Sequence, residues 1–302
     1  MVVVIAVSPL VSRQHGPSRK TYPWLVTAAM RHSGSAVLAA LSSRGKTNMK
    51  QLLIRADDMG YSYAVDLGIA RTVREGLVRS VGVMPNTPEA GRGWSWISDQ
   101  NVAVGQHTNI CLGRPCADPS KIGSLLQEGG EFKSSREYRD CFKEGHDFVA
   151  FDEAVIEIEA QHERFCQIAG REPDYFEAHA VQSVNLMRAI AHVAENHGLK
   201  EQPVSFDPRA TVRCGSTDVR MVMLSMLPGH SPKAAIKEVV GDMVGGETVV
   251  FVCHPGYLDQ FILTHSSLTE DRTKEVDALI DPELRSWLEA QPDLRLVDYR
   301  DL

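Results

Sequence analysis

Short apolar runs recur along the chain from residue 50, and segments with the spacing of amphipathic helices lie between them. The first run, LLIRA, is followed by Val65, Ile69 and Val73, which are four residues apart as on one helix face, and Gly76 is a stop signal. Strands are predicted at 52–56, 77–84, 101–107, 174–179, 203–207, 219–224, 248–254 and 294–299.

Helices are predicted at 152–169, 184–197, 232–244 and 270–290, with a new start near residue 282, where Asp281 is a favoured N-cap and Pro282 a favoured first residue. About eight strands alternating with helices over roughly 250 residues predict an α/β fold. We expect a single domain with an irregular, TIM-barrel-like (β/α) barrel. The polar, Gly-rich segment 110–150 is predicted to be a long insertion that shapes a cleft.

Four of these apolar runs end in side chains that can bind a metal or transfer a proton. Asp57 and Asp58 follow the first run, and His107, His179 and His254 end three later ones. The carboxyl ends of parallel strands meet on one face of an α/β fold, so these side chains are predicted to form one site. Alone, the Asp pair is equally well explained as a helix cap in a solvated turn.

Composition excludes some functions. With 43% hydrophobic residues and a formal net charge of -7, the chain is typical of a globular protein and lacks the basic character of a nucleic-acid binder. Its six cysteines include no C-x-x-C pair, which favours reduced thiols in a cytoplasmic protein. No apolar stretch reaches the ~20 residues of a membrane span, so no membrane partner is expected.

The first part of the chain differs from the rest because residues 1–51 contain no Asp or Glu. Such a basic, acid-free segment is similar to a transit peptide. The alternative is an upstream extension outside the fold, with Met49 as the true start. We favour the extension, and we place the domain boundary between residues 1–48 and 49–302.

The residue types at the strand ends point to metal-assisted hydrolysis. Two imidazoles and a carboxylate, here His107, His179 and Asp58, can bind a divalent ion and leave positions open for water and substrate. Consecutive strand residues point in different directions, so Asp57 is free to act as the general base. His254 is then the general acid. The same ligand set also occurs in non-heme iron oxygenases, although a spare base argues for hydrolysis.

These residues carry a family resemblance. ADDMGYSYAVDLGI, GQHTN, the Glu-Ala-His stretch and HPGY, with the closing LRLVDYRDL, resemble the YdjC-like carbohydrate deacetylases, which include chitooligosaccharide deacetylases. The resemblance covers about residues 50–302. It implies a distorted barrel, one divalent ion, Mg or Zn, on Asp58, His107 and His179, a base at Asp57 and an acid at His254. It also implies removal of acetyl groups from N-acetylated sugars.

One motif departs from the family pattern. Where the family commonly has D-S-H-Q-H-V-H, this chain keeps the ligand His179 but has Val181 and Ser183 in place of the later histidines. The resemblance places those positions at the sugar site, so the sequence leaves the exact substrate open. Glu177, in place of Asp, can still orient an imidazole, or it is a carboxylate in solvent.

Three further residues are candidates for substrate binding. They are Asn109 from GQHTN, Arg209 after a predicted strand, and Tyr257 beside His254. Arg209 is equally explained as a surface charge. We expect a hydrolase acting on a small acetylated carbohydrate. The alternative is a sugar- or metal-binding protein of the same fold without turnover, and a homodimer is left open.

Overall fold

The computed structural model describes residues 49–205, 207, 209–225, 227 and 229–302. The predicted N-terminal extension, residues 1–48, lies outside the described residues, so the boundary at residue 49 stays a prediction. No helix among the described residues has the length and apolarity needed to cross a bilayer.

Nine strands form one sheet in the described part of the chain. They are β1 (Lys50–Met59), β2 (Ser80–Val83), β3 (Ala103–Thr108), β4 (Tyr175–Ala178), β5 (Lys200–Glu201), β6 (Thr211–Cys214), β7 (Thr217–Met223), β8 (Thr248–Cys253) and β9 (Leu294–Val297). The order is β5-β4-β3-β2-β1-β8-β7-β6, with β9 also paired to β1. All pairings are parallel except the β6–β7 hairpin. The predicted irregular (β/α) barrel is confirmed as a nearly closed sheet in a single domain.

Helices connect the strands. They are α1 (Tyr63–Arg74), α2 (Ala90–Ser95), α3 (Ser135–Lys143), α4 (Phe151–Ala169), α5 (Val184–Asn196), α6 (Pro232–Asp242), α7 (Gln260–His265), α8 (Glu270–Leu279) and α9 (Pro282–Glu289). Short 3-10 turns occupy Pro119–Lys121, Gly123–Leu125 and Tyr299–Asp301. The predicted new start at residue 282 is confirmed, because the Asp281 carboxylate accepts hydrogen bonds from the first backbone N–H groups of α9.

Strand β1 is the centre of the sheet. Its residues Leu52, Leu53 and Ile54 are buried, and its first half pairs with β9 while its second half pairs with β2. On the other side it pairs with β8, with Ala56 opposite Cys253. The register therefore places the residues that follow β1 and β8 at the same edge of the barrel.

The loop after β1 is fixed by the start of α1. Ser62 caps the helix by accepting a hydrogen bond from the Val65 N–H, and Asp66 in the first turn accepts one from the Gly60 N–H at 2.6 Å. On the other side of α1, a Cβ on Gly68 would lie 2.4 Å from the Gly256 Cα atom. Only glycine at position 68 therefore lets the loop after β8 approach the helix this closely.

Two of the differences between the sequence prediction and the structure concern the predicted strand at 203–207 and the 110–150 insertion. Residues 202–205 and 207 are not a strand; the short β5 lies earlier, at Lys200–Glu201, and Pro203 has no N–H for a sheet hydrogen bond. The 110–150 insertion also contributes to the core, because Ile110, Leu125 and Tyr138 are buried in a cluster against α4 and α5.

Candidate active site

The side chains predicted at the strand ends meet at one edge of the barrel. Asp57 and Asp58 close β1, His107 is near the end of β3, and His179 follows β4. These four residues are at most 9% exposed, and His254, directly after β8, is half-buried. Residues separated by up to about 200 positions in the chain thus form one site, as the strand-end rule implies.

Three of these side chains form a compact triangle of donor atoms. Asp58 Oδ1 lies 3.2 Å from His107 Nε2 and 3.1 Å from His179 Nδ1, and the two nitrogens are 2.9 Å apart. Two donors that each lie about 2.1 Å from one ion are about 3.0 Å apart at right angles and about 3.4 Å apart at the tetrahedral angle, so the triangle is close to the required spacing. The triangle therefore fits a divalent metal ion. Asp58 reaches it with a backbone φ of 78°, which is costly for a residue other than glycine.

Glu177 orients one of the imidazoles. Its Oε1 lies 3.2 Å from Nδ1 of His107, which leaves Nε2 of the same ring for the triangle. Gly82 on β2 makes room for this pair, since a Cβ there would lie 2.4 Å from Glu177 Oε1. Glu177 is 1% exposed, so the solvent-facing alternative raised from the sequence is wrong.

Arg272, from α8, holds the second oxygen of Asp58. Its Nη2 lies 2.8 Å from Asp58 Oδ2, and its Nε donates to the Leu268 carbonyl. Burial would raise the pKa of Asp58, but Arg272 and the hydrogen bonds from the two imidazoles hold it well below its usual value. Asp58 therefore stays ionised, as a metal ligand must be.

A second guanidinium binds the neighbouring carboxylate. Arg55 Nε lies 2.6 Å from Asp57 Oδ1, and Nη2 lies 2.8 Å from Oδ2 and 2.5 Å from Glu177 Oε2. Its Nη1 donates to the Tyr299 hydroxyl at 2.9 Å. Burial raises the pKa of Asp57, although Arg55 opposes that change. Asp57 is thus held in one orientation, apart from the donor triangle.

The site attracts positive charge. Burial would lower the pKa of both imidazoles, yet Glu177 and Asp57 raise that of His107 to about 10. The pKa of His179 is raised to about 9 by the Cys111 thiol and by Asp58. The protein field that favours protons on these rings would equally favour a divalent cation, which supports the fit of the donor set.

His254 has a separate environment. Its Nδ1 lies 3.2 Å from the Ser225 hydroxyl, and its backbone N–H donates to the Glu275 carboxylate, which is also hydrogen-bonded to Ser225. Burial lowers the pKa of His254 to about 4, so its imidazole is neutral at pH 7. Among the described residues, its Nε2 has no hydrogen-bond partner and is available to a ligand.

Comparison with known proteins identifies the family of the chain. Residues 51–290 match the family model of YdjC-like protein. The chain belongs to that family. A carbohydrate deacetylase of Geobacillus stearothermophilus is 29% identical over 82% of this chain and 96% of its own length, and one of Enterococcus faecalis is 28% identical over 84% and 98%.

A solved structure of the family shows the same fold. It is a proposed cellobiose-phosphate cleavage protein of Enterococcus faecalis V583, with a TM-score of 0.71 and 23% identity. The match covers 84% of this chain and 98% of that one. At this identity, the likeness shows that this YdjC-like chain has the same barrel fold.

The predicted substrate-binding residues lie outside the triangle. Asn109 is buried and its amide is used within the protein, since it donates to Asn86 and to the Leu112 carbonyl. The Tyr257 hydroxyl accepts a hydrogen bond from Arg71. Arg209 is exposed. Contact of any of the three with substrate stays a prediction.

Sequence reasoning missed the two arginines and Tyr61. Arg55 had a signal, since a charged residue two positions before Asp57 in an apolar strand lies on the same face. Arg272 had none, because it is 214 positions from Asp58 and reaches it only through the packing of α8. Tyr61 lies edge-on to the His179 ring at 6.0 Å and lines the site.

Proposed function

We propose that this protein is a metal-dependent carbohydrate deacetylase, a hydrolase that removes acetyl groups from the nitrogen of small amino sugars or acetylated oligosaccharides such as chitooligosaccharides. One observation carries the proposal. A buried triangle of one carboxylate and two imidazoles lies beside a second carboxylate, Asp57, and a further imidazole, His254, that are not part of it. The family relatives named carbohydrate deacetylases support the same conclusion.

The donor set favours zinc over magnesium. Mg²⁺ is usually bound through oxygen atoms and keeps several waters, whereas Zn²⁺ is bound readily by imidazole nitrogen with one carboxylate. Asp58, His107 and His179 would hold the ion. When bound, such an ion supplies positive charge that polarises an acyl carbonyl and lowers the pKa of water.

Asp57 is suited to take the proton from the attacking water. Arg55 fixes both of its oxygens, so one carboxylate orientation is presented to the site. Its raised pKa brings the carboxylate closer to the range in which a general base both accepts and releases a proton near neutrality. The neighbouring Asp58 cannot take this role, because its pKa is held low by Arg272.

His254 is suited to protonate the departing amine. Its pKa of about 4 means that it starts neutral and must receive a proton before it can give one. The proton removed from water through Asp57 is available for this, and the negative charges of Asp58 and, once it has released the proton, of Asp57 raise the pKa of His254. Ser225 holds Nδ1, so Nε2 is the nitrogen that would carry the transferred proton.

The rival is a protein that binds sugar or metal without turnover. Binding alone requires neither the buried base nor the further imidazole, so their presence favours catalysis. The test is acetate release from N-acetylglucosamine and its oligomers by chelator-treated protein, with Zn²⁺ or Mg²⁺ restored. Asp57→Asn, which keeps the shape of the side chain, is the matched control. Sugar binding without acetate release, equal in the wild type and Asp57→Asn, would support the rival.

A further inference from the structure

A second group of metal-capable side chains lies at α4, away from the candidate active site. His162 and Cys166 are one helical turn apart, and Glu172 follows in the loop that leads to β4. His162 Nε2 lies 3.6 Å from the Cys166 Sγ atom and contacts the Glu172 carboxylate. One atom from each of the three side chains lies within 4.8 Å of the other two. We call these three residues the α4 cluster.

The α4 cluster is on the other side of the sheet from Glu177. The His162 ring packs against Phe176 of β4, with 5.6 Å between ring centroids. Successive strand residues face opposite sides, so Phe176 and Glu177 project to opposite faces of β4. The α4 cluster is therefore separate from the donor triangle of Asp58, His107 and His179.

The spacing of the sulfur and nitrogen donor atoms fits a tetrahedral metal site. A zinc ion about 2.3 Å from a sulfur and about 2.1 Å from a nitrogen separates these atoms by about 3.6 Å at the tetrahedral angle. This is the distance found between Cys166 Sγ and His162 Nε2. Ligands four residues apart on a helix lie on one face and can bind the same ion.

The carboxylates around His162 also favour binding of a cation. A second imidazole, His197 at the end of α5, lies 4.1 Å from the His162 ring and pairs with Glu159 at 2.8 Å. Among the described residues, neither the Glu159 nor the Glu172 carboxylate pairs with a Lys or Arg side chain. Among the described residues, these two carboxylates are thus opposed only by imidazoles.

We propose that His162, Cys166 and Glu172 bind a zinc ion, with His197, whose ring lies beside that of His162, as the donor for the fourth position. Mixed nitrogen, sulfur and oxygen ligands are typical of zinc and unsuited to magnesium. Ion pairs alone would account for the carboxylates and imidazoles but give no role to the thiol. The ion would link α4 and the loop before β4 to the end of α5.

The test uses cobalt as a spectroscopic probe for thiolate ligation. Full-length protein is stripped with a chelator and titrated with Co²⁺ alone. We expect a near-ultraviolet thiolate-to-cobalt band in the wild type and no such band in Cys166→Ser. Glu172→Gln should keep the band but bind Co²⁺ with an apparent affinity at least 100-fold weaker, since loss of an outer partner of a metal ligand alone costs about 10- to 100-fold. Zinc analysis should find one more ion per chain in the wild type than in Cys166→Ser.

Cys111→Ser is the matched control, because Cys111 is the cysteine that interacts with His179 in the candidate active site. Its cobalt band should equal that of the wild type. The proposal is overturned if wild type and Cys166→Ser bind the same number of zinc ions, or if the band is lost in Cys111→Ser and kept in Cys166→Ser. Circular dichroism of each metal-free variant excludes misfolding as the cause of a lost band.

Discussion

The guanidinium of Arg55 binds both carboxylate oxygens of Asp57, at 2.6 and 2.8 Å, with both side chains at most 5% exposed. The same guanidinium contacts Glu177, which in turn orients His107. One buried cation therefore links the proposed base to an imidazole of the donor triangle. The hydrogen bond from Nη2 to Oδ2 and the close ion pair of Nε with Oδ1 together fix direction as well as charge.

Arg55→Lys tests this link. Lysine keeps the positive charge but cannot bind both oxygens in a fixed plane. We expect kcat for deacetylation to fall about 10- to 100-fold, with zinc content and KM little changed. Steady-state kinetics and metal analysis measure this, and Arg213→Lys, in an exposed ion pair with Asp218, is the control. Loss of zinc with unchanged kcat per bound ion would instead place Arg55 in support of the triangle.

Substitution of the two neighbouring aspartates should have different effects on metal content and on rate. Asp58→Ala, His107→Ala and His179→Ala each remove one of three donors and should lose metal and activity together. Asp57→Asn should keep the metal and lose about 10²- to 10⁴-fold in rate, because it affects proton transfer alone. Metal analysis beside acetate release measures both. Full metal occupancy in any of the first three variants would remove that residue from the ligand set.

Asp66 predicts a pH dependence of stability. Burial raises the pKa of this carboxyl, which is 0% exposed, to about 7 from 3.8. Between these values the folded state holds a proton that the unfolded state lacks, so the free energy of unfolding falls as pH rises from about 4 to 7. The pKa difference corresponds to at most roughly 4 kcal/mol.

Asp66→Asn should remove this contribution and keep an oxygen acceptor for the Gly60 N–H. Denaturant unfolding at pH 5 and pH 8 measures the contribution of Asp66 to the free energy of unfolding. Relative to wild type, the variant should gain stability at pH 8. An unchanged difference between the two pH values would show that Asp66 is ionised throughout. Because Glu275 and Glu201, whose pKa values are also raised to about 7, remain in both proteins, the comparison isolates Asp66.

The central part of the fold and site was predictable because local pattern and sheet geometry agree. Apolar runs predicted β1, β3 and β8. Parallel pairing places the ends of the strands at one edge of the sheet, where Asp58, His107 and His179 meet. Those assignments depend only on periodicity and on the common direction of the strands.

Other features depend on packing that no local pattern records. Arg272 reaches Asp58 only because α8 packs against α1 and the loop after β8, and a helix with several charged residues shows nothing of which one is buried. The predicted strand at 203–207 failed for a different reason. Its apolar residues satisfied the pattern, but Pro203, a signal visible in the sequence, has no N–H to donate to a sheet.

His254 gives the sharpest test of the proposed chemistry. An amine leaves only when protonated, whereas an activated aryl ester has a leaving group that needs no acid. His254→Ala should therefore keep zinc, lose about 10²- to 10⁴-fold of its rate on N-acetyl sugars, and lose much less on an aryl acetate. Ser225→Ala is a milder companion, since it removes the hydroxyl at Nδ1 but leaves the imidazole. Equal losses on amide and ester would assign His254 to positioning the acyl group, and loss of zinc would make it a ligand. A loss confined to the amide would mean that His254 protonates the departing amine.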